Sequence, residues 1–314
     1  MRTLALLESD QHFGGRSSAL CAVLRKMSKI YQLVDKPSSI ALLQGGLANQ
    51  LLQAALITNE EQIPLQLLSV SDCLLNSRLR SSRSVTKRSI SSLFEAQGYD
   101  ISRYRQAYLR MRLRLPLARE TLHDGALCRV YSRGQRVYKG DGLLPSVFSS
   151  EYNCFWLSVL RALDKLFGDA PCQLTLATHV RWGDYNSAKT QRGSGLYPLP
   201  LHYYISALEL LQARCSSPLP ICFFSDSPTQ VQREFASSLH LPFEIFHGTS
   251  AEEDLWRMSF SSHLVLSNST FSCVAAHLSK LRNGRIDVVA PFKWFLDGFY
   301  SARSDLKQPW WIQL

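Results

Sequence analysis

From about residue 171 onward, short apolar runs alternate with amphipathic segments, and this alternation restricts the chain to a narrow set of folds. Leu174–Val180 reads as a strand, and Leu201 to Arg214 as a helix with Leu201, Tyr204, Ile205, Leu208 and Leu211 on one face. Ile221–Ser225 reads as a strand, Thr229–Leu239 as a helix, Phe243–Phe246 as a strand and Glu252–Ser259 as a helix. Strand His263–Ser267, helix Phe271–Leu281 and strand Asp287–Ala290 complete the series. Repeated strand–helix units at this spacing predict a parallel sheet with right-handed crossovers. Ligands in such sheets bind beyond the carboxyl ends of the strands. That rule alone singles out His179–Tyr185, Ser225–Ser227 and Asn268–Phe271.

A second unit opens upstream. Ser39–Gln44 is a short strand run, followed by the Gly45-Gly46 turn and a helical stretch from about Ala48 to Glu60. Residues 61–160 carry Ser/Arg-rich loops, helical pieces and turn signals at Gly134, Gly140 and Gly142. With 314 residues, two domains can each bury a core. The expected fold class is therefore α/β, with two Rossmann-like domains facing a cleft.

The net charge of +10 is unevenly distributed, with eleven Lys/Arg against Glu95 and Asp100 between Arg78 and Arg119. Leu109–Leu115 alternates apolar and basic residues, which puts Arg110, Arg112 and Arg114 on one face of an extended segment. Such a stretch fits a solvated face, an anionic membrane surface or an acidic glycan. Nucleic acid is disfavoured as a partner, since no zinc-finger, RRM or KH pattern accompanies the charge. The eight cysteines form no C-x-x-C and no metal spacing, and read as reduced thiols of a cytoplasmic protein. The start, with Arg2, Glu8 and Asp10 around a short apolar stretch, reads as a poor secretory signal. No apolar run approaches the roughly 20 residues of a spanning helix.

Three strand ends carry the chemistry. His179, Arg181 and Asp184 leave one strand within six residues, offering a base or donor, a permanent cation and a carboxylate. The planar fork of Arg suits a phosphate, although Arg181 and Asp184 could equally close the turn as an ion pair. Asn268, Ser269, Thr270 and Phe271 stand where a strand becomes a helix, a place suited to an anion and also to simple capping. Asp226, in Ser225–Pro228, is either a ligand contact or a routine helix start. Asn49 and Gln50 follow the Gly-Gly turn, where backbone can approach a ligand. There is no G-x-G-x-x-G, no G-x-x-x-x-G-K-[ST] and no G-x-S-x-G, which argues against dehydrogenase, P-loop and hydrolase readings. No D-x-D is present, so a diphosphate here would be neutralised by Arg, dipoles and hydroxyls rather than by a metal.

These residues resemble the α-1,2-fucosyltransferases, glycosyltransferase family 11. Gly45–Gln50 matches a GGLGNQ-type turn, His179–Tyr185 an HxRRGDY-type motif, and Phe224–Ser227 an FSDD-type strand end. Asp254-Leu255, Met258-Ser259, His263, Asn268–Ser272 and Ala275-Ala276 match a long D-L-x-x-M-S…H-x-x-x-x-N-S-T-F-S…A-A segment. Ala290-Pro291 with Trp294-Phe295 matches the closing A-P-x-x-W-F. The departures are Trp182 where members usually have a second Arg, Ala48 for Gly, Ser227 for the second Asp, and Cys273-Val274 for a pair often aromatic.

The resemblance implies a GT-B-like inverting enzyme that transfers fucose from GDP-fucose to a glycan hydroxyl, O2 of galactose being the expected position. No metal cofactor is expected. Residues 1–38 would be an extension, 39–164 the acceptor-side domain, and 165–314 the GDP-fucose domain. Arg181, His179 and Asp184 would be catalytic, with Asp184 as general base; Asn49, Gln50, Asp226, Asn268, Ser269, Thr270 and Phe271 would hold the donor. A lipid-linked acceptor and a cytoplasmic location, peripheral to the inner face of the membrane, fit the basic stretch. A degenerate GDP-sugar or glycan binder and a transferase for another GDP-sugar or linkage are the alternatives.

Overall fold

The computed structural model describes residues 39–43, 46–60, 66–69, 117–123, 126–131, 136–140, 145–168, 176–297 and 306–314. Two sheets are present among them. The first contains β1 (Ser39–Leu43), β2 (Gln66–Ser69), β3 (Leu117–His123), β4 (Ala126–Tyr131) and β5 (Arg136–Gly140), in the order β2-β1-β5-β4-β3. β1 is parallel to β2 and β5, whereas β3, β4 and β5 form an antiparallel meander. Helix α1 (Leu47–Glu60) follows β1, as the Gly-Gly turn predicts. The segment with Arg110, Arg112 and Arg114 lies outside the described residues.

The second sheet has six parallel strands, β6 (Leu176–Val180), β7 (Ile221–Ser225), β8 (Phe243–Ile245), β9 (His263–Val265), β10 (Asp287–Ala290) and β11 (Ile312–Gln313). Their order is β11-β10-β9-β6-β7-β8. The chain runs outward from β6 through β7 to β8, then returns to place β9 on the other side of β6. The strand order therefore reverses between β6 and β9, and the crevice at such a reversal is where doubly wound sheets bind ligands. The helices are α2 (Asn153–Phe167), α3 (Ala188–Ser194), α4 (Leu201–Ala213), α5 (Pro228–Ala236), α6 (Ala251–Met258) and α7 (Thr270–Asn283). Pro228 starts α5, where its missing N–H costs nothing. Ser269 caps α7, and Gly284 at φ +73° ends it in a conformation that side chains resist.

Both faces of this sheet are covered, and the period of two sorts the strand residues between them. Leu176, Val180, Ile221, Phe223, Val265 and Val289 pack with α4 and α5. Ala177, Cys222, Phe224, Leu264, Leu266 and Val288 pack with α6, α7 and α2. Helix α1 joins the second layer. Its Leu47, Ala48, Leu51, Leu52, Ala54, Ala55 and Leu56 are all buried, and it lies against β1 as well as α2 and α7. With no charge before Glu60 and apolar residues on several sides, α1 suits such an enclosed position. Each large apolar side chain fully buried here contributes about 1.5–3 kcal/mol. Cys154, Cys215, Cys222 and Cys273 are free thiols. No helix among the described residues is long and apolar enough to cross a membrane.

One titratable group sits inside this layer. His277 of α7 lies between the rings of Phe148 and Trp156, with centroids 4.9 and 5.3 Å away, and its Nε2 is buried without a partner. Burial lowers its pKa to about 4. The unfolded chain, with an ordinary histidine pKa, therefore binds more protons below about pH 6.5, and stability falls as the pH drops toward 4. Between pH 7 and 4.5 His277 should cost on the order of 2 kcal/mol. Urea unfolding at both pH values, compared with His277→Leu, measures this; the variant should lose less stability on acidification. An equal loss in both proteins would exonerate His277.

Candidate active site

The strand-order reversal is cross-linked by side chains. His179 shares the α7 face of β6, and its Nδ1 lies 2.7 Å from the Oγ of Ser267, just beyond β9. Its ring packs 5.1 Å from that of Phe271 in the first turn of α7. Burial, aided by Arg181, lowers the His179 pKa to about 3, so the imidazole is neutral at physiological pH. Ser267 O and Ser269 O both accept from Ser272 Oγ, which fixes the entry into α7.

Beyond β6 the chain turns sharply around one carboxylate. Asp226, at the end of β7, accepts from the backbone N–H of Trp182 (3.2 Å) and Gly183 (3.1 Å) through Oδ1, while Oδ2 lies 3.2 Å from Arg181 Nε. An added Cβ at 183 would stand 2.6 Å from Asp226 Oδ2 and force that carboxylate to shift. Asp184 grips the same guanidinium, with Oδ1 3.0 Å from Nε and Oδ2 accepting from Nη2 at 3.1 Å. Burial opposes the charge of Arg181, but Asp226 and Asp184 outweigh it and raise its pKa. The guanidinium also lies 5.6 Å from the ring of Tyr185. Burial pushes the Tyr185 hydroxyl up to about 12, so it keeps its proton and donates to Asn268 O at 3.3 Å.

Trp182 points the other way. It is buried among Tyr204 and Phe235, stacked on the latter at 5.9 Å, and its Nε1 donates to Leu199 O at 2.9 Å. The departure from a second Arg therefore lies in the core rather than beside Arg181.

At the β9–α7 junction, Asn268 is buried and its Nδ2 donates to Tyr197 O and Trp294 O, both at 3.0 Å. It ties the segment before α4 and the Pro291–Trp294 turn to the end of β9, and its Oδ1 is left without a hydrogen-bond partner. Ser269 accepts from Phe271 N at 3.3 Å, as a cap. Thr270 Oγ1 donates to Asn49 Oδ1 at 2.7 Å, so the first turns of α1 and α7 meet.

The sequence-derived residues thus gather at one edge: His179, Arg181, Asp184, Asp226, Ser269, Thr270, Phe271 and Asn49. Gln50 and Asn268 are buried beneath it. Asp226 is held by Arg181 and the 182–183 backbone, and Arg181 and Asp184 do form the ion pair that their spacing allowed. Sequence reasoning assigned no role to Gly183 or Tyr185, and none to Asp254. Asp254, near the start of α6, has a buried Oδ1 without a hydrogen bond, and burial with Glu253 and Glu252 pushes its pKa up to about 7. The signal for it was the first residue of the D-L-x-x-M-S stretch.

The edge so assembled can hold an anion. Arg181 supplies a fixed cation, the first turn of α7 a favourable dipole, and the neutral His179 polar contacts without charge. No curated protein matches the chain. Among solved structures, the glycosyl transferase family 9 protein from Veillonella parvula DSM 2008 is similar over 90% of this chain and 86% of that chain, at 11% identity and a TM-score of 0.39. The family model described as Glycosyl transferase family 11 matches residues 157–314, which takes in α2 from its fifth residue, the whole second sheet and the edge that carries Arg181. The chain belongs to glycosyl transferase family 11.

Proposed function

We propose that the chain is an inverting, GT-B-like fucosyltransferase that moves L-fucose from GDP-fucose to a hydroxyl of a glycan acceptor, O2 of a galactoside, without a metal ion. Residues 165–314 would bind the donor and 39–164 shape the acceptor side. The observation that carries this reading is the way Arg181 is held. Its Nε–Nη2 side is gripped by Asp184 and Asp226, whereas Nη1 makes no hydrogen bond among the described residues. With Asp226 fixing Nε from a buried position, the rest of the fork, held only by the exposed Asp184, is presented to a phosphate in a fixed orientation.

The acceptor hydroxyl would attack the anomeric carbon while GDP leaves from the opposite face. Charge growing on the β-phosphate would be stabilised by Arg181 and by the start of α7. His179, being neutral, can contribute one N–H donor but no charge. Asp184 is the proposed general base; a loss of less than tenfold in turnover for Asp184→Asn would remove it from that role. Association with an anionic membrane is proposed on the charge of Arg78–Arg119 alone.

A donor panel tests the specificity. Incubation with GDP-fucose, GDP-mannose and UDP-galactose, each with a set of β-galactosides, should give product from GDP-fucose alone, with the new linkage at O2. Transfer from another donor, or at another hydroxyl, would replace this assignment within the same family.

A further inference from the structure

The two carboxylates on Arg181 stand on unequal footings. Asp226 has a side chain only 10% exposed and is fixed from three directions, by two backbone N–H groups and by Arg181 Nε. The Asp184 side chain is 46% exposed, projects from the single turn Asp184–Asn186, and holds only Arg181 among the described residues. Together they place two negative charges on one guanidinium, which leaves the immediate surroundings of Arg181 net anionic. A diphosphate arriving there would meet a like charge a few ångströms away, and like charges at that separation in a half-buried site repel strongly.

We propose that the diphosphate takes the place of Asp184 on Arg181 while Asp226 stays. In the free protein Asp184 competes with the ligand; once the ligand is bound, Asp184 is released from Arg181 toward solvent. Asp226 is then a positioning residue, which holds Arg181 and the 182–183 turn in both states and does not touch the nucleotide. No proton moves in the exchange. It rests on Arg181 being the diphosphate ligand. The exchange also makes a free carboxylate available only after the donor has bound, which favours donor before acceptor.

Calorimetric titration of wild type, Asp184→Asn, Asp184→Glu and Asp226→Asn with inorganic pyrophosphate and with GDP tests the exchange. Asp184→Asn should bind pyrophosphate about two- to fivefold more tightly than wild type, the range that loss of an exposed ion pair allows. Asp184→Glu, which keeps the competitor, should stay within about twofold of wild type. Asp226→Asn should weaken binding by roughly tenfold or more through misplacement of Arg181. Asp184 is exposed enough that its variants should fold, and thermal melting checks each protein. Weaker or unchanged binding by Asp184→Asn overturns the proposal, as does pyrophosphate binding to neither wild type nor Asp184→Asn. If GDP binds no better than pyrophosphate in any variant while Asp184→Asn still tightens both, the nucleotide assignment fails and the exchange stands.

Discussion

Replacing Arg181 by lysine is expected to lower turnover by roughly 10²–10³-fold, equivalent to about 2.7–4 kcal/mol of transition-state stabilisation. The size of the effect follows from geometry. The guanidinium meets Asp226 through Nε and still has a planar fork to offer a diphosphate, and a lysine ammonium is a point charge that cannot do both. Lysine at 181 would be drawn toward Asp226, which the backbone of Trp182 and Gly183 fixes in place, and away from the ligand. Stability should change little, because lysine keeps the positive charge that the buried Asp226 and the exposed Asp184 face. Initial rates at saturating donor, with circular dichroism melting as a control, measure the effect. A loss below tenfold with normal folding would move the leaving-group contact away from Arg181.

Trp182→Arg is expected to prevent accumulation of folded protein, with a cost on the order of 3–5 kcal/mol or more. The substitution restores the residue that family members usually carry, and activity would rise if position 182 faced the ligand. It faces the core instead. An arginine there would lose the ring stacked on Phe235 and edge-on to Tyr204, and would bury a charge on the core side, while Asp226 at the 182 backbone N–H is already engaged by Arg181. Trp182→Phe should fold, with a loss of about 1–2 kcal/mol from the missing indole and its bond to Leu199 O, and should keep its activity. Soluble yield and urea midpoints read both variants. A well-folded Trp182→Arg protein with raised turnover would place position 182 in the active site. Burial of Trp182, and of Ala48 inside α1, makes both departures packing changes and so weakens the reading of a degenerate, silent binder.

Five of the six strands of the second sheet were legible in the sequence because each is a compact apolar run bounded by turn residues; the two-residue β11 was not read. Boundaries differ by one to three residues, as at Val265 rather than Ser267 and at Ala236 rather than Leu239. Helix α2 was not set apart from the helical pieces around it. The meander of β3, β4 and β5 was missed for a physical reason: β3 reads Leu-Ala-Arg-Glu-Thr-Leu-His, polar enough to resemble a loop. Its one strong signal was Asp124-Gly125, the two residues between β3 and β4 and a pair suited to tight hairpins. At the site, strand ends identified which residues meet, but not which way each points. Period two along β6 already implied that His179 and Trp182 face opposite layers, since they are an odd number of residues apart. The role of Asp226 as a fastener for the 182–183 backbone depends on a contact 43 residues away in sequence, which no local pattern encodes.

Whether this edge transfers a sugar from GDP-fucose with Arg181 in place of a metal is decided by one assay. Purified protein is incubated with GDP-fucose and excess EDTA, with and without a β-galactoside acceptor, and GDP release is followed. Release should depend on acceptor, persist in EDTA and disappear in Arg181→Lys. Release that EDTA abolishes and a divalent cation restores would contradict the metal-free mechanism. Failure of the wild-type protein to bind GDP would contradict the assignment of the site itself.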